Sequence, residues 1–121
     1  EQLSVNENDL FKQIHECKWN KEIKLSTSFY LEKIHADFNE IKLDKNYDIV
    51  FFDAFSPETQ PDLWSFKNFQ KLYNSLNKNG ILTTYSSKGF VKQNLRNAGF
   101  TVKRLPGPKG KRHMLRAIKE I

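Results

Sequence analysis

Apolar positions recur along the chain in three ways, and each predicts an element. Between Asp9 and Cys17, Leu10, Phe11, Ile14 and Cys17 fall at helical spacing, with Asn8 or Asp9 placed to cap a helix that Trp19-Asn20 ends. The polar residues 1–8 read as loop or frayed end. Ile23 and Leu25 alternate around Lys24 and predict a short strand. Residues 29–35 predict a better one, with Phe29, Leu31 and Ile34 on its apolar side. Ala36-Asp37-Phe38 closes it, and residues 39–43 read as one helical turn. Ile49-Val50-Phe51-Phe52 is an apolar run without alternation, which predicts a strand over 48–53 covered on both faces.

The second half is more regular. Leu63, Phe66, Phe69, Leu72, Tyr73 and Leu76 step by threes and fours and predict an amphipathic helix, stopped by Asn79-Gly80. Residues 81–85 are β-rich, so a second buried strand follows. Strand, helix and strand in that order imply a parallel, right-handed crossover. Residues 88–98 read as another helix, with Phe90, Val91 and Leu95 inward, Lys88, Lys92 and Arg96 outward, and Gly99 at its end. Strands over 100–105 and 114–118 flank a turn at 106–110. A link that short makes them an antiparallel hairpin. The expected class is α/β, with a mostly parallel sheet that ends in an antiparallel hairpin.

Composition narrows the picture. A chain of 121 residues holds one domain at most, with a modest core. Charged residues at 28% and aromatics at 13% exclude a disordered polymer. No apolar stretch reaches the roughly 18 residues of a membrane span, and no signal peptide is evident. Cys17 is the single cysteine, which excludes an internal disulfide and a multi-cysteine zinc site; a reduced, cytoplasmic setting is expected. His15, His35 and His113 are scattered without metal spacing, so no metal site is expected. The net charge of +6 is uneven. Residues 1–87 hold ten Lys/Arg against thirteen Asp/Glu, a net of −3, and residues 88–121 hold ten against Glu120 alone, a net of +9. Such a tail is either a solvated charge run or a surface for a polyanion.

Chemistry is concentrated in residues 48–64, DIVFFDAFSPETQPDLW. Asp53 stands where the apolar run stops, and ligands of open parallel sheets bind beyond the carboxyl ends of strands. Pro57 and Pro61 stiffen the loop that follows. An acid, a hydroxyl and two aromatics on rigid backbone exceed what a connector needs. Two alternatives stay open here: Asp53 as a turn or capping aspartate, and Phe55 and Trp64 as core residues under the loop.

The stretch DAFSPETQPDLW resembles the methyltransferase-domain signature of the tRNA 5-methylaminomethyl-2-thiouridine biosynthesis enzymes, the MnmC family. Further matches are Gly80-Ile81-Leu82-Thr83-Thr84-Tyr85, Gly89-Phe90-Val91, Ala98-Gly99-Phe100 and Gly110-Lys111-Arg112-His113-Met114-Leu115. The resemblance runs from about residue 29 to 118. The chain departs from it at Gln60, where Asn is usual, and at His113, where Glu is common.

The resemblance implies the distal part of a Rossmann-like class I fold with sheet order 3-2-1-4-5-7-6. Residues 29–35 would be the third strand and 48–53 the fourth, and the first two strands are absent. Residues 1–121 then form the carboxyl-terminal part of one methyltransferase domain that lacks its amino-terminal cofactor-binding segment. Such a sheet has a gap, so strand 29–35 is expected to pair with another chain, giving self-association, or to leave its usual place. The resemblance also implies S-adenosyl-L-methionine as cofactor, touched by Asp37, Asp53 and Ala54, with Asp53 as the catalytic carboxylate. Phe55, Ser56, Pro57, Trp64, Tyr85, Lys111 and Arg112 would meet the substrate, the anticodon region of a tRNA. The implied reaction methylates the 5-aminomethyl group of the wobble uridine, in a family that also contains fusions to an FAD-dependent oxidase. The chain has no Gly-x-Gly for the cofactor's methionine part, so alone it is expected to bind the cofactor poorly and to be inactive. The competing readings are a non-catalytic RNA-binding module and a small-molecule amine methyltransferase or aminopropyltransferase of the same fold.

Overall fold

The computed structural model describes residues 2–107, 109 and 113–121; the expectations placed on Lys111 and Arg112 lie outside the described residues. The chain forms two compact units that meet in sequence between Asp37 and Phe38. Among the described residues, no helix is long and apolar enough to cross a membrane.

The first unit comprises helix α1 (Gln2–Glu16) and strands β1 (Glu22–Lys24) and β2 (Tyr30–Glu32). α1 begins about two turns before its apolar spacing does, correcting the expected loop at residues 1–8. No Gly or Pro interrupts that stretch. β1 and β2 pair antiparallel, Ile23 opposite Leu31. Residues 29–35 therefore give a strand of only three residues, and it leaves the larger sheet for its sequence neighbour. Closing so short a loop costs little entropy.

The second unit holds β3 (Tyr47–Phe52), a 3-10 turn (Pro61–Trp64), α2 (Phe66–Ser75), β4 (Leu76–Thr84), α3 (Gly89–Ala98), β5 (Thr101–Leu105) and β6 (Met114–Ile118). The sheet order is β3-β4-β6-β5. β3 runs parallel to β4, while β4/β6 and β6/β5 are antiparallel. This is the 4-5-7-6 half of the order that the resemblance implies. α2 and α3 pack on each other against one face of the sheet. Phe52, Trp64, Phe69, Leu72, Leu82, Val91, Leu95, Leu115 and Ala117 form the core there. The Phe52 ring meets Trp64 and Phe69 edge-on at 4.9 and 5.4 Å between centroids, a geometry favourable beyond area burial.

Local physics revises four expectations. β3 is not covered on both faces: Ile49 is 54% and Phe51 78% exposed, and burial is completed only at Phe52. An apolar run reports residue type, and whether a second layer covers it depends on the neighbours present. The helix over 63–76 is split. Pro61 opens the 3-10 turn, and Ser65, extended at ψ 158, caps α2 by accepting from the Asn68 amide at 3.2 Å. α2 stops at Ser75, so Asn79-Gly80 punctuates β4 instead, with Asn79 at φ 68 and a register shift opposite Tyr47–Ile49. Phe90 is half exposed rather than inward, since it stands in the first turn of α3, one residue before buried Val91. Residues 38–40 make a turn rather than a helical turn over 39–43.

α3 ends as expected. Gly99 adopts φ 116, its amide bonds the Arg96 carbonyl at 3.0 Å, and the Phe100 amide bonds Leu95 at 3.2 Å. A Cβ there would lie 2.9 Å from the Tyr73 ring, so the glycine is required twice over.

Candidate functional site: the lip beyond β3

The parallel register of β3 and β4 brings their carboxyl ends side by side, Phe52 opposite Thr84. Asp53 follows one strand and Tyr85 the other. Asp53 is exposed, and among the described residues its carboxylate makes no hydrogen bond or ion pair. The residues after it form a loop tied down at its backbone. Tyr85 donates its hydroxyl to the Ala54 carbonyl at 2.8 Å. Trp64, fully buried, donates its indole N–H to the Phe55 carbonyl at 2.8 Å. Asn94 on α3 donates to the Trp64 carbonyl at 3.0 Å, fixing the turn from which the indole projects. Further along, the Ser56 carbonyl accepts the Thr59 and Gln60 amides at 3.0 and 2.9 Å, and its hydroxyl sits 2.9 Å from that of Thr59. Glu58 forms an ion pair with Lys88, the residue that precedes α3.

These bonds sort the expected substrate residues. Phe55 is 73% exposed, its carbonyl held while its ring faces solvent. Ser56 is half-buried and engaged within its own turn, and Pro57 is buried beneath the loop. Trp64 is corrected from a pocket wall to a buried post. With its ring packed between Phe52, Phe69 and Tyr85, no face remains for a substrate. Tyr85 is half exposed and holds the lip through its hydroxyl. Partial burial, then the negative charges of Asp53 and Glu58, push its phenol above the ordinary tyrosine value. Asp37 is exposed and belongs to the first unit.

Sequence reasoning missed Asn94 and the Glu58–Lys88 pair. Asn94 shares a helix face with Val91 and Leu95, and an amide on an apolar face was the available signal. The ion pair joins residues 30 apart in the chain and left no local pattern.

For S-adenosyl-L-methionine the fit of these residues is partial. Asp53 offers a free acceptor and Ala54 a half-buried wall at the strand end. A backbone cradle for the methionine part needs close glycine approach, and the chain holds no Gly-x-Gly. The two cavities that open along α2 are not lined by the 53–60 loop.

Comparisons with known proteins agree with this topology. The tRNA 5-methylaminomethyl-2-thiouridine biosynthesis bifunctional protein MnmC of Azoarcus sp. (strain BH72) is 44% identical over 75 residues, 62% of this chain and 12% of that protein. The protein of the same name from Pseudomonas paraeruginosa (strain DSM 24068 / PA7) is 40% identical over 74 residues, 61% of this chain and 11% of that one. The crystal structure of MnmC2 from Aquifex aeolicus superposes with a TM-score of 0.72 at 25% identity, over 91% of this chain and 35% of that one. The chain thus spans about a tenth of the length of the two curated relatives and about a third of the structural one. A family model described as S-adenosyl-L-methionine-dependent methyltransferase matches residues 2–120, and the chain belongs to that family.

Proposed function

We propose that this chain is the distal part of a methyltransferase that acts on tRNA, transferring a methyl group to the 5-aminomethyl nitrogen of the wobble uridine. The observation that carries the reading is the unpaired Asp53 carboxylate, exposed at the carboxyl end of β3 beside an exposed Phe55, on a loop pinned at Ala54 and Phe55. An alkylamine is protonated near neutrality and must lose a proton before its nitrogen can attack. A carboxylate at the lip accepts hydrogen bonds from the ammonium, orients it, and takes that proton directly or through water. Holding the nitrogen in line contributes more than basicity, because an ordinary aspartate is a weak base. Phe55 offers a ring on which the extruded uracil stacks. S-adenosyl-L-methionine, when bound, supplies the methyl group. Lys103 and Arg104, successive residues of the edge strand β5 on its opposite faces, and Lys109 just after it offer the tRNA backbone exposed cations around that edge, to which the sequence adds Lys111 and Arg112. The names of the MnmC relatives support the substrate class, and a tRNA substrate implies a cytoplasmic location.

The test uses the full-length protein that carries this chain, undermodified tRNA and radiolabelled S-adenosyl-L-methionine. Label enters the tRNA with wild type, and Asp53→Asn lowers the rate at least tenfold at saturating tRNA. Equal transfer by Asp53→Asn removes the role of the carboxylate. Label on small amines but never on tRNA favours a small-molecule enzyme of the same fold.

A further inference from the structure

Outside the lip, the strongest unexplained feature is a groove on the flank of α2. One cavity of about 380 Å³ is lined by Lys42, Lys67, Gln70, Lys71 and Asn74 among others. An adjoining cavity of about 270 Å³ shares Lys42, Lys67 and Lys71 with it. Glu40 is the sole acid in either lining.

The groove is built, not incidental. Its wall at residues 38–43 is fastened to α2 by the Lys71 ammonium, which donates to the carbonyls of Phe38 and Ile41 and lies 4.4 Å over the Phe38 ring. Buried Asn68 fastens it again, donating to the Asn39 side chain at 2.7 Å and to the Asp62 and Leu63 carbonyls at 3.2 and 3.3 Å. Lys71 is thus a structural cation. Lys42 and Lys67 are exposed and make no hydrogen bond or ion pair among the described residues. No bond of the fold among the described residues uses either ammonium, and both side chains line the two cavities.

The run that supplies the α2 wall has the same sign, whereas residues 38–62, which supply the facing wall, hold Glu40, Asp44, Asp48, Asp53, Glu58 and Asp62 against Lys42 and Lys45. From Leu63 to Lys119 the sequence contains thirteen Lys and Arg and no Asp or Glu. Fifty-seven residues with no acid lie far from an ordinary solvated surface, where both signs are interspersed. The groove also starts where the lip ends. Lys67 is in the first turn of α2, directly after the 3-10 turn that carries Trp64. From Lys67 to Asn74 the helix rises roughly 10 Å, at about 1.5 Å per residue, and side-chain amides line the way.

We propose that this groove docks the phosphate backbone of the RNA substrate, with Lys42 and Lys67 contacting phosphate oxygens and Gln70 and Asn74 hydrogen-bonding sugar or phosphate. It is a second backbone contact, distinct from the basic β5–β6 hairpin, and it extends the RNA path from the lip along α2. The proposal rests on the reading of the protein as a tRNA methyltransferase.

The test measures tRNA affinity against salt for the full-length protein. For every phosphate that a variant no longer neutralises, the slope of log affinity against log salt falls by about 0.7–0.9. The double variant Lys42→Gln/Lys67→Gln therefore lowers it by about 1.5. Its deficit relative to wild type shrinks about eightfold between 50 and 200 mM salt. Lys42→Arg/Lys67→Arg retains the wild-type slope. Lys71 is left in place, and thermal unfolding of the variants matches wild type. A second double variant, Lys103→Gln/Arg104→Gln on β5, reports on the tRNA reading itself. If it lowers the slope while the α2 pair leaves it unchanged, the groove is not an RNA site and the tRNA reading survives. If wild type shows no salt-dependent tRNA binding, both fall.

Discussion

Replacing Trp64 with Phe removes the bond that ties the lip to the core. The indole N–H donates to the Phe55 carbonyl at 2.8 Å, and the ring is fully buried against Phe52, Phe69 and Tyr85. Phenylalanine keeps an aromatic in the slot and removes the donor. Leaving a buried acceptor unpaired costs about 1–3 kcal/mol, and the low end applies because the carbonyl is only partly buried. The smaller ring leaves a void that adds about 1 kcal/mol. The sum is about 2 kcal/mol. With a urea dependence of about 1–3 kcal/mol per molar, the unfolding midpoint falls by roughly 1 M. Far-ultraviolet circular dichroism is the right probe, because Trp64 is itself a fluorophore. Amide hydrogen exchange supplies the local half of the test, since amides of residues 54–60 exchange faster once the post no longer holds Phe55. A midpoint within about 0.2 M of wild type, or loop amides that exchange at the wild-type rate, refutes the claim that the indole anchors the lip.

Three further outcomes follow from the same geometry. Gly99→Ala forces a side chain into φ 116 and 2.9 Å from the Tyr73 ring, so it lowers stability by about 1–3 kcal/mol, read as a drop in urea midpoint. Tyr85, whose phenol titrates above its ordinary value in the folded chain, stabilises the fold in full below about pH 10. That contribution is lost as pH rises through the folded value, because the folded state then holds a proton the unfolded state has released; Tyr85→Phe abolishes this alkaline loss in a pH series of unfolding midpoints. Phe55→Ala leaves stability within about 0.5 kcal/mol, since the ring is exposed; on the proposed tRNA reading it also weakens binding of an anticodon stem-loop by the roughly 1–3 kcal/mol of one stacked base, read by fluorescence anisotropy.

Most of the second unit was legible because its elements are local and strongly patterned. β3, α3, β5 and β6 fall within a residue or two of expectation, β4 ends as expected but begins five residues early, and the antiparallel hairpin follows from a link too short for anything else. The helix over 63–76 was right in its apolar steps and wrong at both ends. Leu63 and Trp64 satisfy helical spacing from a 3-10 turn, and Leu76 satisfies it as the first residue of a strand. Spacing cannot separate these when buried apolar residues line each element. At the candidate site, strand polarity singled out Asp53, which lies exposed just beyond β3. The roles of Trp64 and Tyr85 were not, because each acts through a carbonyl that carries no side-chain signature. The open face at Ile49 and Phe51 was illegible for another reason: composition records that a strand tolerates burial, and whether anything covers it depends on the elements packed beside it.

The division of labour around Asp53 bears on the turn-aspartate alternative. An aspartate kept for its turn accepts a backbone amide one or two residues on, and its loss loosens the loop. Here the loop is closed without it. The Ser56 carbonyl accepts the Thr59 and Gln60 amides, and Tyr85 and Trp64 hold the Ala54 and Phe55 carbonyls. Asp53 also raises the proton affinity of Tyr85, so its charge opposes ionisation of the group that fastens the lip. Among the described residues the Asp53 carboxylate makes no hydrogen bond or ion pair, and the loop beside it is held from two sides without it. On the proposed reading, that leaves the carboxylate for a cation approaching from solvent, such as a protonated amine.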